Sequence, residues 1–158
     1  MKKIAFIILF LLSVVHADIF VKGNKNIGAS IGAGSSYGNT YTIVGLYGNY
    51  FIVDNLALGV GYRGWFGASP EIHELLLEGN YYIPFKNNIR PYLGLFTRQT
   101  FVQSYDDYQS YGAKAGVAFT TGKNSYVGIA YVLEYYSRCN DANECSNSYP
   151  EVVFGVSF

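Results

Sequence analysis

In SYVGIAYVLEYY, residues 125–136, every second side chain from Val127 to Tyr135 is bulky and mostly apolar. Between them stand Tyr126, Gly128, Ala130, Val132 and Glu134. Successive side chains of a strand point to opposite sides, so this spacing gives one greasy face and one face of small, ring or charged groups. The pattern recurs. Leu56, Leu58, Val60 and Tyr62 oppose Ala57, Gly59, Gly61 and Arg63; Ile89, Pro91, Leu93 and Leu95 oppose Arg90, Tyr92, Gly94 and Arg98. Ala113, Ala115, Val117 and Phe119 oppose Gly112, Lys114, Gly116 and Ala118. Helical periodicity is nearly absent beyond the first residues, which leaves an all-β fold.

Punctuated by turn residues, the alternating segments number eight: about 26–34, 40–52, 56–66, 73–83, 89–101, 110–119, 125–137, and a last one that ends the chain as EVVFGVSF. The connections after the second, fourth and sixth read as compact turns. Those after the third, fifth and seventh read as longer and carry Glu71, Asp106, Asp107, Asp141 and Glu144. An even number of antiparallel strands with alternating connections predicts an up-and-down barrel.

Which face is greasy decides between a barrel in water and one in lipid. A soluble carrier barrel lines its cavity with apolar groups and wets its outside. Here the charges sit among Gly and Ala, which suits a narrow interior, and the bulky face is stable only against lipid. Closure also removes the strand edges that hydrocarbon cannot satisfy. Aromatics make up 18% of the chain. Tyr50, Phe51, Tyr81, Tyr82, Phe85, Tyr126 and Phe158 fall at one set of strand ends, and Trp65, Phe66, Phe101, Tyr135, Tyr136 and Tyr149 at the other. The expectation is two girdles at the lipid–water interfaces.

The first residues read as an address. Lys2 and Lys3 precede the apolar run Ile4–Leu12, and Val15-His16-Ala17 supplies the small residues a signal peptidase reads. Residues 1–17 are therefore expected to be a cleaved signal peptide, and 18–158 one domain, the barrel. The apolar run is too short to cross a bilayer of about 30 Å. Losing Lys2 and Lys3 from 11 basic residues leaves 9 against 11 acids, so nothing points to a nucleic-acid partner. Cys139 and Cys145, the two cysteines, stand close together and are expected to form a disulfide in an exported chain.

The chain resembles the small eight-stranded outer-membrane barrels, such as the transmembrane domain of outer membrane protein A. The pattern carries the resemblance over essentially the whole expected mature chain, and its most specific stretch is VVFGVSF. Alternating Phe154, Val156 and Phe158 look like the signal that the family's barrel-assembly machinery recognises. The resemblance implies an outer membrane of a Gram-negative bacterium, both termini periplasmic, and partners in outer-membrane lipid and lipopolysaccharide, with the protein a monomer.

Chemistry is sparse. The expected mature chain holds one histidine, His73, and Glu74 follows it directly, so the two point to opposite faces and make no hydrolase pair with Ser69. No second histidine completes a zinc motif. Catalytic residues, metals and cofactors are accordingly not expected. Eight strands leave room only for side chains. The leading expectation is a structural or surface-interaction barrel; the alternative is a small-ligand-binding or weakly conducting one, and a lipid-modifying enzyme ranks behind both. Inside, Arg63, Glu74, Arg98, Lys114, Glu134 and Glu151 are expected to form one charged layer. Folding each hairpin about its turn pairs Arg63 with Glu74, Glu74 with Arg98, Arg98 with Lys114, Lys114 with Glu134, and Glu134 with Glu151.

Overall fold

The computed structural model describes residues 19–85, 88–137 and 145–158. It is a closed barrel of eight antiparallel strands in chain order: β1 Lys25–Ser36, β2 Asn39–Val53, β3 Leu56–Phe66, β4 Ile72–Tyr82, β5 Ile89–Val102, β6 Tyr108–Thr120, β7 Ser125–Tyr136 and β8 Ser146–Ser157. The segment 1–17 lies outside the described residues, as does Cys139, and with Cys139 the expected bridge.

Alternation sets the faces. Along β7, Ile129, Tyr131, Leu133 and Tyr135 are exposed while Tyr126, Gly128, Ala130, Val132 and Glu134 are buried. The same division holds on β3, β5 and β6, so the bulky apolar face is the outer wall. Leu95 is 70% exposed and Val60 61%, values that only a nonaqueous surrounding makes favourable for a whole wall of such residues.

Turn chemistry closes the hairpins. Ser36 pairs with Asn39 across Tyr37 and Gly38, both at positive φ (50° and 74°), the conformation that two-residue hairpins need. Asn55, at φ 66°, serves the β2–β3 turn. The connections after β2 and β6, 54–55 and 121–124, are shorter than those after β3, β5 and β7, 67–71, 103–107 and 137–145, as expected, but the one after β4 departs. The β4–β5 connection, residues 83–88, is longer than either 67–71 or 103–107 at the opposite end, and the β1–β2 turn there has only two residues.

Small residues make the lumen possible. Gly28, Gly45, Gly94, Gly112, Gly116 and Gly155 lie across the strand from Tyr47, Arg63, Lys114, Phe96, Tyr92 and Tyr126, and each large side chain lies over its glycine where a Cβ would stand. The barrel is joined unevenly. β1 pairs with β2 over twelve positions, Lys25 to Ser36. With β8 it pairs over only six, Asn26–Ile31 against Val152–Ser157. From Gly32 onward, and from Glu151 back to Ser146, that seam carries no ladder; Pro150, which has no N–H, stands in it.

Candidate functional site: the filled lumen and the apolar wall

At the end holding Ile19 and Phe158, here the terminus end, the chain enters the barrel before it begins to zip. Ile19 and Phe20 are 2% and 1% exposed. Phe20 lies 4.5 Å from the Tyr82 ring, 5.8 Å from Tyr126 and 6.0 Å from Phe51, with the Arg90 guanidinium 5.7 Å from its own centre. Its carbonyl accepts from Asn55 N–H at 2.7 Å, and Lys22 N–H donates to Asp54 Oδ1 at 2.9 Å. The mouth is thus plugged by a segment whose sequence, IFVKGN, shows no period-two run long enough to mark it. The expected girdle is corrected here: Phe51, Tyr82 and Tyr126 point inward and build the floor under the plug, while Tyr50, Tyr81, Phe85 and Phe158 face out. At the opposite, loop end, Trp65 and Tyr149 are likewise interior and Tyr136 half-buried; Phe66, Phe101 and Tyr135 face out. A closing turn needs filling from within, so rings at strand ends serve the lumen as readily as the interface.

Above the floor lies a first charged group. Lys114 Nζ donates to Glu78 Oε2 at 2.6 Å, and Asn80 Nδ2 donates to Glu78 Oε1 at 2.9 Å. Beside it is a cavity of about 20 Å³, room for roughly one water. The second group is larger. Arg63 Nε and Nη2 both reach Glu74 Oε2 at 2.6 Å. Arg98 Nη1 donates to Glu134 Oε2 at 2.5 Å, and Ser110 Oγ donates to Glu134 Oε1 at 2.5 Å. The Tyr149 hydroxyl joins the two pairs: it accepts from Arg98 Nη1 at 2.6 Å and Arg63 Nη1 at 3.3 Å, and donates to Glu134 Oε2 at 2.9 Å. Glu151 stands 3.9 Å from Arg63 Nη1. Tyr41, Ile43, Trp65, Ile72 and Val102 cap the loop end.

Arg63, Glu74, Arg98, Lys114, Glu134 and Glu151 all lie inside, between 2% and 8% exposed. Their expected neighbours are corrected. Arg63 faces Glu74, but Glu74 faces Thr100, not Arg98; Arg98 faces Ser110, not Lys114; Lys114 faces Val132, not Glu134; Glu134 faces Asn147 and Glu151 faces Ala130. The single layer becomes two groups, with Arg98 on Glu134 and Lys114 on Glu78. The ladders from β4–β5 to β7–β8 each slip by an even number of residues, which keeps every side chain on its face while changing its partner. Register is set at each connection, and β6, which begins at Tyr108, and β8, which begins at Ser146, also start in polar stretches that read as loop. Glu78 escaped the sequence reading although it shares the face of Glu74; counting by twos along HELLLEGNYY finds it. Each buried ion costs several kcal/mol to desolvate, so these pairs fix which side chains meet more than they add stability.

His73 is outward and half-buried; its Nδ1 shares a 2.6 Å hydrogen bond with the Tyr62 hydroxyl, and the rings stack 5.9 Å apart. Glu74 points to the other side. Among the described residues no cluster of His, Cys, Asp and Glu has a metal-holding arrangement.

No protein-family profile matches the chain, and no curated protein is detectably similar in sequence. Solved structures are similar in fold. The N-terminal β-barrel domain of Pseudomonas aeruginosa OprF superposes with a TM-score of 0.70, covering 87% of this chain and 98% of that one at 15% identity. The fold is that of the small outer-membrane barrels. Neisserial surface protein A matches at 0.61 over 85% of this chain and 94% of its own, with 17% identity. The outer membrane protein OprG of P. aeruginosa matches at 0.53 over 89% and 99%, with 15% identity. Identities this low carry the fold alone, and the fold hosts more than one activity.

Proposed function

We propose that the protein is a closed barrel of a Gram-negative outer membrane, with both termini periplasmic and a structural or surface-interaction role rather than catalysis or transport. One observation supports it above the others: a wall of exposed apolar side chains surrounds a lumen filled by the plug, two ion-paired groups and an apolar cap. Against a hydrolytic role, His73 and Glu74 point to opposite sides of the wall. Phe154, Val156 and Phe158 face outward at the chain's end, where an assembly factor reaches them. The loop end meets lipopolysaccharide or an outside ligand, and a Cys139–Cys145 disulfide ties its last loop. The test is fractionation with gel mobility. The protein is expected in the outer-membrane fraction, migrating faster unheated than boiled, and silent in planar bilayers. Conductance steps would favour the conducting alternative; recovery in the soluble periplasm would overturn the membrane reading.

A further inference from the structure

The wall carries a shallow, open groove of about 860 Å³ that starts at the terminus end. Two adjacent ladder rows form it. One runs Lys25, Tyr50, Leu58, Gly79, Leu95 across β1 to β5. The next runs from Ile27 through Gly48 and Val60 to Leu77. Each row holds one outward glycine, and at those two points the wall lacks the side chain that would fill the trough. Four strand spacings of about 4.8 Å make the trough roughly 19 Å long, the scale of a single acyl chain. It is mostly apolar along its length and reaches the rim at Lys25, beside Phe158.

The surroundings of that charge point the same way. Exposed cations at this end include Lys22, Lys25 and Lys123, against Asp54. Lys123 and Lys25 flank the end of β8 from its two sides: Ser157 N–H donates to the Asn124 carbonyl at 2.7 Å, and Lys25 N–H to the Phe158 main-chain oxygen at 3.1 Å. At the loop end the exposed charges include Glu71, Asp106 and Asp107. Among the described residues, the charges thus favour an amphiphile with an anionic head at one end of the barrel and repel it at the other.

We propose that this groove binds one phospholipid with an anionic head group, its phosphate on Lys25 and one acyl chain along the glycine-opened trough. The proposal rests on the membrane reading above. It is tested on refolded protein in detergent micelles offered equal phosphatidylglycerol and phosphatidylethanolamine, with bound lipid counted by native mass spectrometry. The wild type is expected to retain one phosphatidylglycerol in preference to phosphatidylethanolamine. Lys25→Gln should weaken that retention roughly five-fold. Gly48→Leu should abolish it by filling the trough; a Cβ at Gly48 meets nothing nearer than the Asn26 carbonyl at 3.9 Å, so the fold accepts the change. Glu71→Gln, at the far end, should leave it unchanged. Undiminished retention in Lys25→Gln or Gly48→Leu, or equal retention of the two lipids, overturns the proposal. Heat-modifiable mobility checks that every variant is folded, and fractionation of cells expressing the wild type separates the readings: a folded barrel that keeps no lipid sinks the lipid site alone, whereas a chain absent from the outer-membrane fraction sinks the membrane reading itself.

Discussion

Tyr92 lies over Gly116 in the lumen, and a Cβ at that glycine would stand 2.8 Å from the ring and 2.5 Å from the Ile129 carbonyl. Gly116→Val is therefore expected to destabilise by about 1–3 kcal/mol through overpacking, read as a lower urea midpoint of the folded band. Gly48→Ala on the wall is expected to be near neutral, and equal effects would mean that the inward glycines are not making room for rings. Arg98→Ala leaves Glu134 buried beside Ser110 and Tyr149 with its cation gone, and should cost roughly 3–5 kcal/mol. Adding Glu134→Gln to it should recover part of that loss; no recovery would mean that the pair is not the interaction the structure assigns. At this scale the sequence discloses the side of the wall but not the partner. Parity alone puts Arg98 and Glu134 inside, because a side chain's face survives any even slip. Partner identity depends on where a ladder ends, and Tyr108 and Ser146 carry no apolar mark of belonging to one.

The strands themselves were legible wherever lipid imposes alternation: β3 was read as residues 56–66, the bounds it has. Legibility failed where the strand outruns the apolar band, as in β8, whose first residues Ser146, Asn147 and Ser148 are polar. It failed also for Ile19-Phe20, whose burial depends on a box of rings contributed by strands far along the chain. Phe20→Ala empties that box and should cost about 3–5 kcal/mol, seen as a lower urea midpoint. An unchanged midpoint would show that the segment does not dock. The other end of the chain predicts an assembly defect, not a stability one. Phe158 is outward, 55% exposed, so deleting it removes no interior packing. Outer-membrane accumulation should nevertheless fall far more than synthesis, and equal accumulation would remove the assembly role from this strand.

As a whole, the molecule is a strip of sheet bent until its first and last strands meet, and the meeting is the least complete junction it has. A hoop is as strong as its clasp. Here the clasp spans six positions near the terminus end, beneath Pro150, while the neighbouring β1–β2 junction spans twelve. Strain on the hoop, whether from heat, denaturant or lateral pressure of the bilayer, is relieved first by parting from the loop end downward, with the other ladders intact. Amide exchange checks this in detergent: the β1 amides beyond Ile31 that point away from β2 should exchange well before those between Asn26 and Ile31. Uniform protection along β1 would contradict it. The plug sits at the closed foot of the same junction, where Lys25 and Phe158 exchange two backbone hydrogen bonds at 3.1 and 2.9 Å. The barrel therefore has a hinge side and an opening side built into its wall, and any event that needs the wall to yield will begin at Gly32 and Pro150.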